Sequence, residues 1–182
     1  MKRISFLLIM SAFMRIMYAQ EVLIYSQIIP VEGISAAELF DRTEVWFTKT
    51  FVNPNKVIQQ KDKENGLILC RARMPHKSSK TSGKSLDGYI DFALNVYIKE
   101  GRIKFEMTDM LHTGNLNVKP TNSMGLLTVS DDCPIPMPPA GKGWRNEVWK
   151  EAKDNAKIEF DKLAILIKLA LENPLETQKD DW

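Results

Sequence analysis

The 182-residue sequence predicts an α+β domain of two layers, in which an antiparallel β-sheet carries two helices on one of its faces. Three observations lead to this fold class. The predicted elements follow the order β-α-β-β-β-β-α, the four later strands form consecutive hairpins, and each helix has one apolar stripe to bury. The length suits one domain with a real core and is too short for two.

The first 19 residues are predicted to be a signal peptide outside that domain. Lys2 and Arg3 precede an apolar run from Ile4 to Met14, and Ala19 offers a small residue at a cleavage point. The run is too short to span a bilayer. We therefore expect a periplasmic or secreted protein without a stable membrane span after cleavage. An N-terminal anchor or a buried helix is the alternative.

The first strand and the first helix follow the predicted cleavage point. The stretch "EVLIYSQIIPVEG" is rich in β-branched residues and predicts a strand that ends in a turn. Ser35 and Glu38 then form a capping box, which indicates the start of a helix, and Asn53-Pro54 ends it. Residues at helical spacing form the apolar stripe of this helix: Ala36, Leu39, Phe40, Thr43, Trp46, Phe47 and Thr50.

Two hairpins come next. In the first, Asp62 to Gly66 separates two strand-like runs, and either a two-residue loop or a longer bulged loop fits. In the second, a two-residue turn at Glu100-Gly101 brings three apolar pairs to the core side, and a slip of one residue would destroy the match. The pairs are Ile98 with Ile103, Val96 with Phe105, and Leu94 with Met107. The same register places Asp109 opposite Phe92 on the apolar side.

The other side of the second hairpin is expected to face solvent. Tyr97, Arg102, Lys104 and Glu106 are the candidate binding residues of this exposed face, and Glu106 lies beside basic neighbours. Glu100 is interpreted as a turn residue. The acidic residues between positions 95 and 112 are therefore interpreted as part of a hairpin with one solvent-exposed side, not as a catalytic pair.

The remaining chain is predicted to be a linker and a long helix. Residues 113–143 have no sustained period and are interpreted as an irregular linker, in which "GLLTVS" could add a short strand. The helix ends at Asn173-Pro174, so that the domain comprises residues 20–174 and residues 175–182 form a frayed tail. Its buried stripe consists of residues at helical spacing: Trp149, Ala152, Ala156, Phe160, Leu163, Ile167 and Ala170.

The charge balance argues against a nucleic-acid partner. Without the three basic residues of the first 19, 22 of the 25 basic residues remain against 23 acidic ones, a net charge of −1. Non-specific binding to nucleic acid depends on neutralising phosphates, and this composition offers no basic excess for it. The local basic segment at 76–84 is Ser-rich and is interpreted as a solvated loop.

The cysteines and histidines predict no metal or cofactor site. Cys70 and Cys133 are the two cysteines, and neither belongs to a CxxC motif. His76 and His112 lie far apart in the sequence, so no zinc-ligand spacing is present. An oxidising compartment permits a disulfide, whereas Cys70 lies in an apolar run where a free thiol behaves as a small hydrophobe, and the pairing stays open.

Three stretches carry a resemblance to a known family: "ISAAELFDRTEVWFTKTF", "DKENG" and "YIDFALNVYIKEGRIKFEMTD". The sequence resembles small secreted bacterial proteins catalogued as domain of unknown function 4468, over roughly residues 22–112. The resemblance implies a TBP-like fold, completed by the C-terminal helix, and a Gram-negative envelope protein. It implies no activity and no catalytic residues, and the likeness to the TATA-binding protein is one of chain path only.

These observations favour a non-enzymatic protein-binding or structural module of the cell envelope. Its open sheet face and edge strand would receive a segment of an unidentified envelope protein by strand addition. The alternative is a small-ligand or lipid-binding protein with a cavity between helices and sheet, for which methionines would form an adaptable lining. The methionines in question are Met74, Met107, Met110, Met124 and Met137.

A hydrolase is the least expected class. His112 and Asp109 form the best pair for catalysis, but their spacing in a strand places them on opposite faces. His76 is expected in the Ser/Lys loop. The nucleophile with an oriented base, or the two facing carboxylates, that hydrolysis requires are not predicted.

Overall fold

The computed structural model describes residues 21–115, 122–135 and 141–173. The predicted signal peptide and the predicted tail at 175–182 lie outside these ranges. The described elements, in chain order, are β1 (Tyr25–Pro30), α1 (Ala36–Thr50), α2 (Pro54–Val57), β2 (Ile58–Asp62), β3 (Leu67–His76), a 3-10 helix (Thr81–Leu86), β4 (Gly88–Lys99), β5 (Arg102–Gly114), β6 (Gly125–Leu126) and α3 (Lys142–Glu172).

The strands form one antiparallel sheet in the order β1-β5-β4-β3-β2, and the short β6 also pairs with β5. The helices α1 and α3 pack against each other and against one face of this sheet. The predicted α+β fold with two helices on one sheet face is therefore confirmed. The first strand of the chain lies beside β5, so the two long hairpin strands occupy the middle of the sheet.

The register of the second hairpin is confirmed in its three predicted apolar pairs. Ile98 lies opposite Ile103, Val96 opposite Phe105, and Leu94 opposite Met107. Gly101 has φ +68°, the left-handed conformation that a two-residue turn requires and that glycine adopts without strain.

Glu100 contributes more than the turn to which the sequence assigned it. Its Oε2 accepts a hydrogen bond of 3.0 Å from the N–H of Ala36, the first residue of α1. The predicted capping box is half formed: Ser35 Oγ accepts from the N–H of Glu38 at 3.2 Å, while the Glu38 carboxylate binds Arg42 instead. A side chain from the hairpin thus satisfies an amide that would otherwise have no partner in the first turn of the helix.

The first hairpin uses the longer of the two loops that its sequence allows. Asp62 pairs with Leu67, which leaves four residues in the loop. Gly66 ends this loop with φ +63°, and a Cβ at this position would meet the carbonyl oxygen of Ile98 at 2.3 Å. Only glycine lets the loop approach the neighbouring strand so closely.

A β-bulge changes which residues of β5 face the core. The pairing shifts between Asp91 and Ala93, and Asp109 has φ +52°. The prediction that Asp109 lies on the apolar side is therefore wrong: its side chain is 53% exposed and lies 3.8 Å from Arg71. Beyond the bulge the alternation is inverted, so Met110 and His112 point into the core.

The core lies between the sheet and the two long helices. Phe105 of β5 is fully buried, with the Trp46 ring of α1 edge-on at 6.0 Å and the Phe160 ring of α3 stacked at 5.5 Å. Most predicted stripe residues are buried: Leu39, Phe40, Thr43, Trp46, Phe47, Trp149, Ala152, Ala156, Phe160, Leu163 and Ile167. Ala36, Thr50 and Ala170, at the ends of the stripes, are half-buried.

Two segments interpreted as loop or linker contribute to this core. The segment at 76–84 is not a simple solvated loop, because His76 ends β3 in the interior and Leu86 of the 3-10 helix is fully buried. In the predicted linker, Met124 and Leu127 are buried beside β6, which occurs within the stretch "GLLTVS". Residues 136–140, the proline-rich part of the linker, lie outside the described ranges.

Candidate binding face

The outer face of the sheet, opposite the helices, carries a shallow groove at the end that holds the second hairpin's turn. The groove has a volume of about 450 Å³. Its lining includes Ile28, Tyr97, Lys99, Arg102 and Lys104. The register explains their proximity, because Lys104 pairs with Ile28 of β1 on one side and with Tyr97 of β4 on the other.

Two exposed apolar side chains form the floor of the groove. Ile28 is 64% exposed and Tyr97 is 38% exposed. The ammonium of Lys104 lies 5.6 Å from the centre of the Tyr97 ring, within the range of a cation–π contact. The floor therefore combines an aliphatic side chain with an aromatic ring that is already in contact with a cation.

The rim of the groove is basic. Lys99 and Arg102 lie directly opposite each other on β4 and β5, an arrangement that like charges disfavour. Within the described ranges neither forms an ion pair, and the adjacent Glu100 carboxylate binds the backbone of α1. The repulsion is thus left uncompensated, and a carboxylate placed over this pair would relieve it.

Glu106 is held at the margin of this face. Its Oε1 lies 2.6 Å from Lys104 Nζ, and it also accepts a hydrogen bond of 3.3 Å from Ser26 Oγ. Of the four candidate residues from the sequence, Tyr97, Arg102 and Lys104 line the groove, whereas Glu106 anchors one of its cations. The hydrogen bond that Lys104 donates to Glu106, together with the negative charge of Glu106, raises the pKa of Lys104, so Lys104 stays protonated.

Sequence reasoning missed Ile28 as a lining residue. Residues of a strand alternate between the two faces of a sheet, but no pattern in the sequence indicates that β1 pairs with β5. Without that pairing, the row from Ile28 through Lys104 to Tyr97 does not exist. The neighbouring strand, not the local pattern, makes Ile28 part of the groove.

The groove adjoins a strand edge. In the described part of the chain, β1 has a strand neighbour on the β5 side alone along Tyr25–Pro30. Pro30, which donates no hydrogen bond, ends the strand in the manner common for edge strands. This edge leaves backbone groups available for a further strand.

The two histidines form a buried pair instead of lying at exposed turns. His76 and His112 are 0% and 1% exposed, and their rings meet edge to face with 5.3 Å between centroids. The Nδ1 of His112 accepts a hydrogen bond of 3.0 Å from the N–H of Met124, and its Nε2 lies 2.9 Å from the carbonyl oxygen of Leu86. His112 is therefore a neutral ring with its proton on Nε2, which joins β5 to the 3-10 helix and to the segment before β6.

Burial lowers the pKa of both imidazoles. The pKa of His112 falls to about 4, because its site is desolvated and the neighbouring His76 disfavours a second charge. Burial also lowers the pKa of His76, more than Glu151 and Asp87 raise it. Neither nitrogen of His76 has a hydrogen-bond partner among the described residues. The expectation of His76 in a solvated loop is wrong, since the ring packs in the interior.

The residues do not assemble the pair that the hydrolase reading required. Asp109 is exposed on the outer face while His112 is buried on the inner face. In the described ranges no group of three or more His, Cys, Asp or Glu side chains is arranged to hold a metal ion. No helix in these ranges combines the length and the apolar character that a membrane span needs.

The fold and the open face define a two-layer α+β domain with an antiparallel sheet, of the type called TBP-like. The family model described as "Domain of unknown function (DUF4468) with TBP-like fold" matches residues 25–113, and over this stretch the chain is similar to that family. The resemblance seen in the sequence is thereby confirmed. No curated protein shows significant similarity to the chain.

Two solved structures share the fold. A DUF4468 family protein from Bacteroides ovatus ATCC 8483 superposes with a TM-score of 0.58 at 15% identity, covering 86% of this chain and 90% of its own. A TBP-like protein from Parabacteroides distasonis ATCC 8503 superposes with a TM-score of 0.55 at 14% identity, covering 79% and 93%. At these identities the likeness concerns the fold alone.

Proposed function

We propose that this protein is an exported, non-enzymatic binding module of the bacterial cell envelope, which holds an extended acidic segment of another protein on its outer sheet face. The observation that carries the proposal is the groove of Ile28 and Tyr97, rimmed by Lys99, Arg102 and Lys104 beside the free edge of β1.

The chemistry of the groove supports an acidic occupant. Three cations surround its apolar floor, and among the described residues only Lys104 has an acidic partner, Glu106. Carboxylates of a bound segment would lie against Lys99 and Arg102 and relieve their mutual repulsion. Apolar side chains of the same segment would cover Ile28 and Tyr97, and Tyr is a residue type that often dominates binding energy.

The shape of the site supports an extended backbone. A strand added to β1 would continue the antiparallel sheet and use its unpaired backbone groups for hydrogen bonds. Alternate side chains of such a strand point to the same face as Ile28. The six residues of β1 give space for a segment of similar length.

We expect an eight-residue peptide that repeats Val-Val-Glu-Glu, in which each face of the strand carries both residue types, to bind, and a peptide that repeats Val-Val-Lys-Lys not to bind. Titration of the purified protein, followed by NMR, should shift the backbone amide signals of residues 25–29 and slow their hydrogen exchange. The double charge reversal Lys99→Glu with Arg102→Glu should weaken the acidic peptide at least tenfold, about 1.4 kcal/mol.

A matched control is available outside the groove. Lys56 of α2 is exposed and forms no ion pair among the described residues, so Lys56→Glu should leave the affinity unchanged. Equal binding of both peptides, or shifts confined to the helix side of the protein, would refute the proposed site. Capture from an envelope extract with wild-type and doubly reversed bait would then identify the natural segment.

Export rests on the leader of the sequence. When the full chain is expressed in a Gram-negative host, we expect the protein in the periplasmic or extracellular fraction, with an N-terminus at Gln20. N-terminal sequencing after fractionation measures this directly. An uncleaved protein that stays with the cytoplasm would contradict the assignment to the envelope.

The methionines do not favour the alternative of a lipid or small-ligand cavity. Met74, Met107, Met110 and Met124 are buried among the core residues, where flexible side chains fill gaps. Met137 lies outside the described residues. The accessible groove on the outer face, by contrast, already combines apolar floor and charged rim, so the binding module is the function that we put forward.

A further inference from the structure

A second, smaller cavity of about 130 Å³ lies at the N-terminal end of α3, distant in sequence from the outer-face groove. Cys133 and Ile135 form one side of it, and Lys142, Arg145 and Asn146 of α3 form the other. None of these residues takes part in the proposed binding of an extended segment.

Arg145 is the unusual member of this cavity. It is 5% exposed, and within the described chain it forms no ion pair with a carboxylate. Its Nε is buried without a hydrogen-bond partner among the residues that the structure describes, and the contact from Nη1 to the carbonyl oxygen of Ile135 is long, at 3.4 Å. The guanidinium also lies 5.4 Å from the centre of the Trp144 ring. A buried charge with so little compensation is costly unless a counter-charge joins it.

The carboxylate of Asp132, which bonds two of the lining side chains, is occupied elsewhere. Asp132 accepts from Lys142 Nζ at 3.0 Å and from Asn146 Nδ2 at 2.8 Å. The oxygen of the Asn146 amide accepts in turn from the N–H of Cys133 at 3.0 Å. These bonds fix the wall of the cavity and hold Lys142 beside it, but they leave the guanidinium of Arg145 without an anion.

The helix itself adds a positive end. α3 is 31 residues long, its N-cap is Gly141, and no side chain of the described ranges caps its first amides. The first turn of a helix presents N–H groups and a partial positive charge to an anion. The first turn of α3 also contains no acidic residue that would neutralise it.

We propose that this cavity is a binding site for a small oxyanion, in which Arg145 and the first turn of α3 hold a phosphate or carboxylate group. Arg145 would donate charge-assisted hydrogen bonds, including one from Nε, and Lys142 would add a second cation at the mouth. The site takes the anionic group of a small molecule, because the cavity is too small for a folded segment.

Cys133 provides a local readout of occupancy. It is a free, half-buried thiol in the cavity wall, whereas the other free thiol, Cys70, is fully buried. Burial raises the pKa of Cys133, so alkylation by the neutral reagent iodoacetamide is slow and best followed at pH 8.5. Peptide mapping by mass spectrometry distinguishes the two thiols.

Inorganic phosphate at 20 mM, added at constant ionic strength, should slow alkylation of Cys133 about threefold or more. Parallel samples with glycerol 3-phosphate and with acetate distinguish a phosphate ester and a carboxylate from the free ion. In the variant Arg145→Gln the protection should disappear. Lys150→Gln is the matched control, since Lys150 lies on the exposed side of the same helix and pairs with Asp154, and it should keep the protection.

The result that would overturn the proposal is alkylation of Cys133 at the same rate with and without all three anions. Equal protection in wild type and in folded Arg145→Gln would overturn it as well. If Arg145→Gln does not fold, Arg145→Lys decides: the site predicts weaker but measurable protection, because a lysine keeps the charge and loses the planar donor fork. Protection in Arg145→Lys equal to wild type would contradict the role of the guanidinium.

Discussion

Phe105→Ala is expected to lower the free energy of unfolding by about 3–5 kcal/mol, the range found for large aromatic side chains removed from a core. The ring is fully buried between α1 and α3, stacked on Phe160 and edge-on to Trp46. Because both helices meet the sheet through this side chain, its removal leaves a cavity that neither helix can close alone. Urea denaturation followed by circular dichroism measures the loss.

A neighbour on the same strand provides the control for this variant. Lys104→Ala changes an exposed side chain on the outer face and should cost no more than about 0.5–1 kcal/mol, as is usual at exposed ion pairs. If Phe105→Ala and Lys104→Ala destabilise the protein to the same small extent, the two-layer packing described above is wrong. The comparison separates core burial from strand propensity, since both variants place alanine in β5.

Acidification from pH 7 to pH 4 is expected to lower the free energy of unfolding by about 2–3 kcal/mol through His112. Burial depresses the pKa of His112 to about 4, while in the unfolded chain the histidine titrates near its ordinary pKa of 6.5. Above pH 6.5 both states are neutral and the stability is fully present. As the pH falls from 6.5 toward 4, His112 binds a proton in the unfolded chain but stays mostly neutral in the folded protein. The free energy of unfolding therefore decreases throughout this pH range.

The surroundings of the ring determine the direction of this effect. Burial is the strongest influence and disfavours the charged form of His112, and the neighbouring His76 disfavours it too. The carbonyl of Leu86 and the carboxylate of Asp87 favour the charged form, but their effect is smaller than that of burial. The pKa of His76 is lowered as well, chiefly by burial, with Glu151 and Asp87 opposing. Protonation of His112 at Nδ1 would also remove the acceptor for the N–H of Met124.

His112→Gln tests the assignment. This variant should be less stable at pH 7, but its stability should depend less steeply on pH between 6.5 and 4.5 than that of wild type. His76→Gln is the control: it retains His112 as the titrating group and should keep most of the pH dependence, because burial is the main cause of the lowered pKa of His112 and His76 a lesser one. Urea midpoints at four pH values suffice, and a slope in His112→Gln equal to that of wild type would show that other groups cause the acid sensitivity.

The predictable parts of the fold are those with local periodic patterns. The register from Leu94 to Met107 followed from alternation about one two-residue turn, because a slip would expose every aliphatic side chain. The helix stripes followed from helical spacing. The short helix α2, the 3-10 helix and the role of Glu100 as a cap did not follow, because brief elements have no period and the cap comes from another part of the chain.

The candidate face was predicted in part for the same reason. Tyr97, Arg102 and Lys104 share one side of a hairpin, so the sequence was sufficient to bring them together. Ile28 joins them through a partner strand about seventy residues away, which no local pattern specifies. Arg145 was not singled out either, since an arginine at the start of a charged helix is ordinarily exposed.

The sequence by itself determined the antiparallel hairpins and the two amphipathic helices, because alternation and helical spacing are properties of neighbouring residues, and it carried the resemblance to the DUF4468 family. Only the tertiary structure decided that a bulge at Asp109 turns His112 inward, and that Arg145 is buried beside an open cavity. A single inserted residue inverts the facing of every later residue in a strand, and burial depends on distant elements, so neither can be inferred from local order.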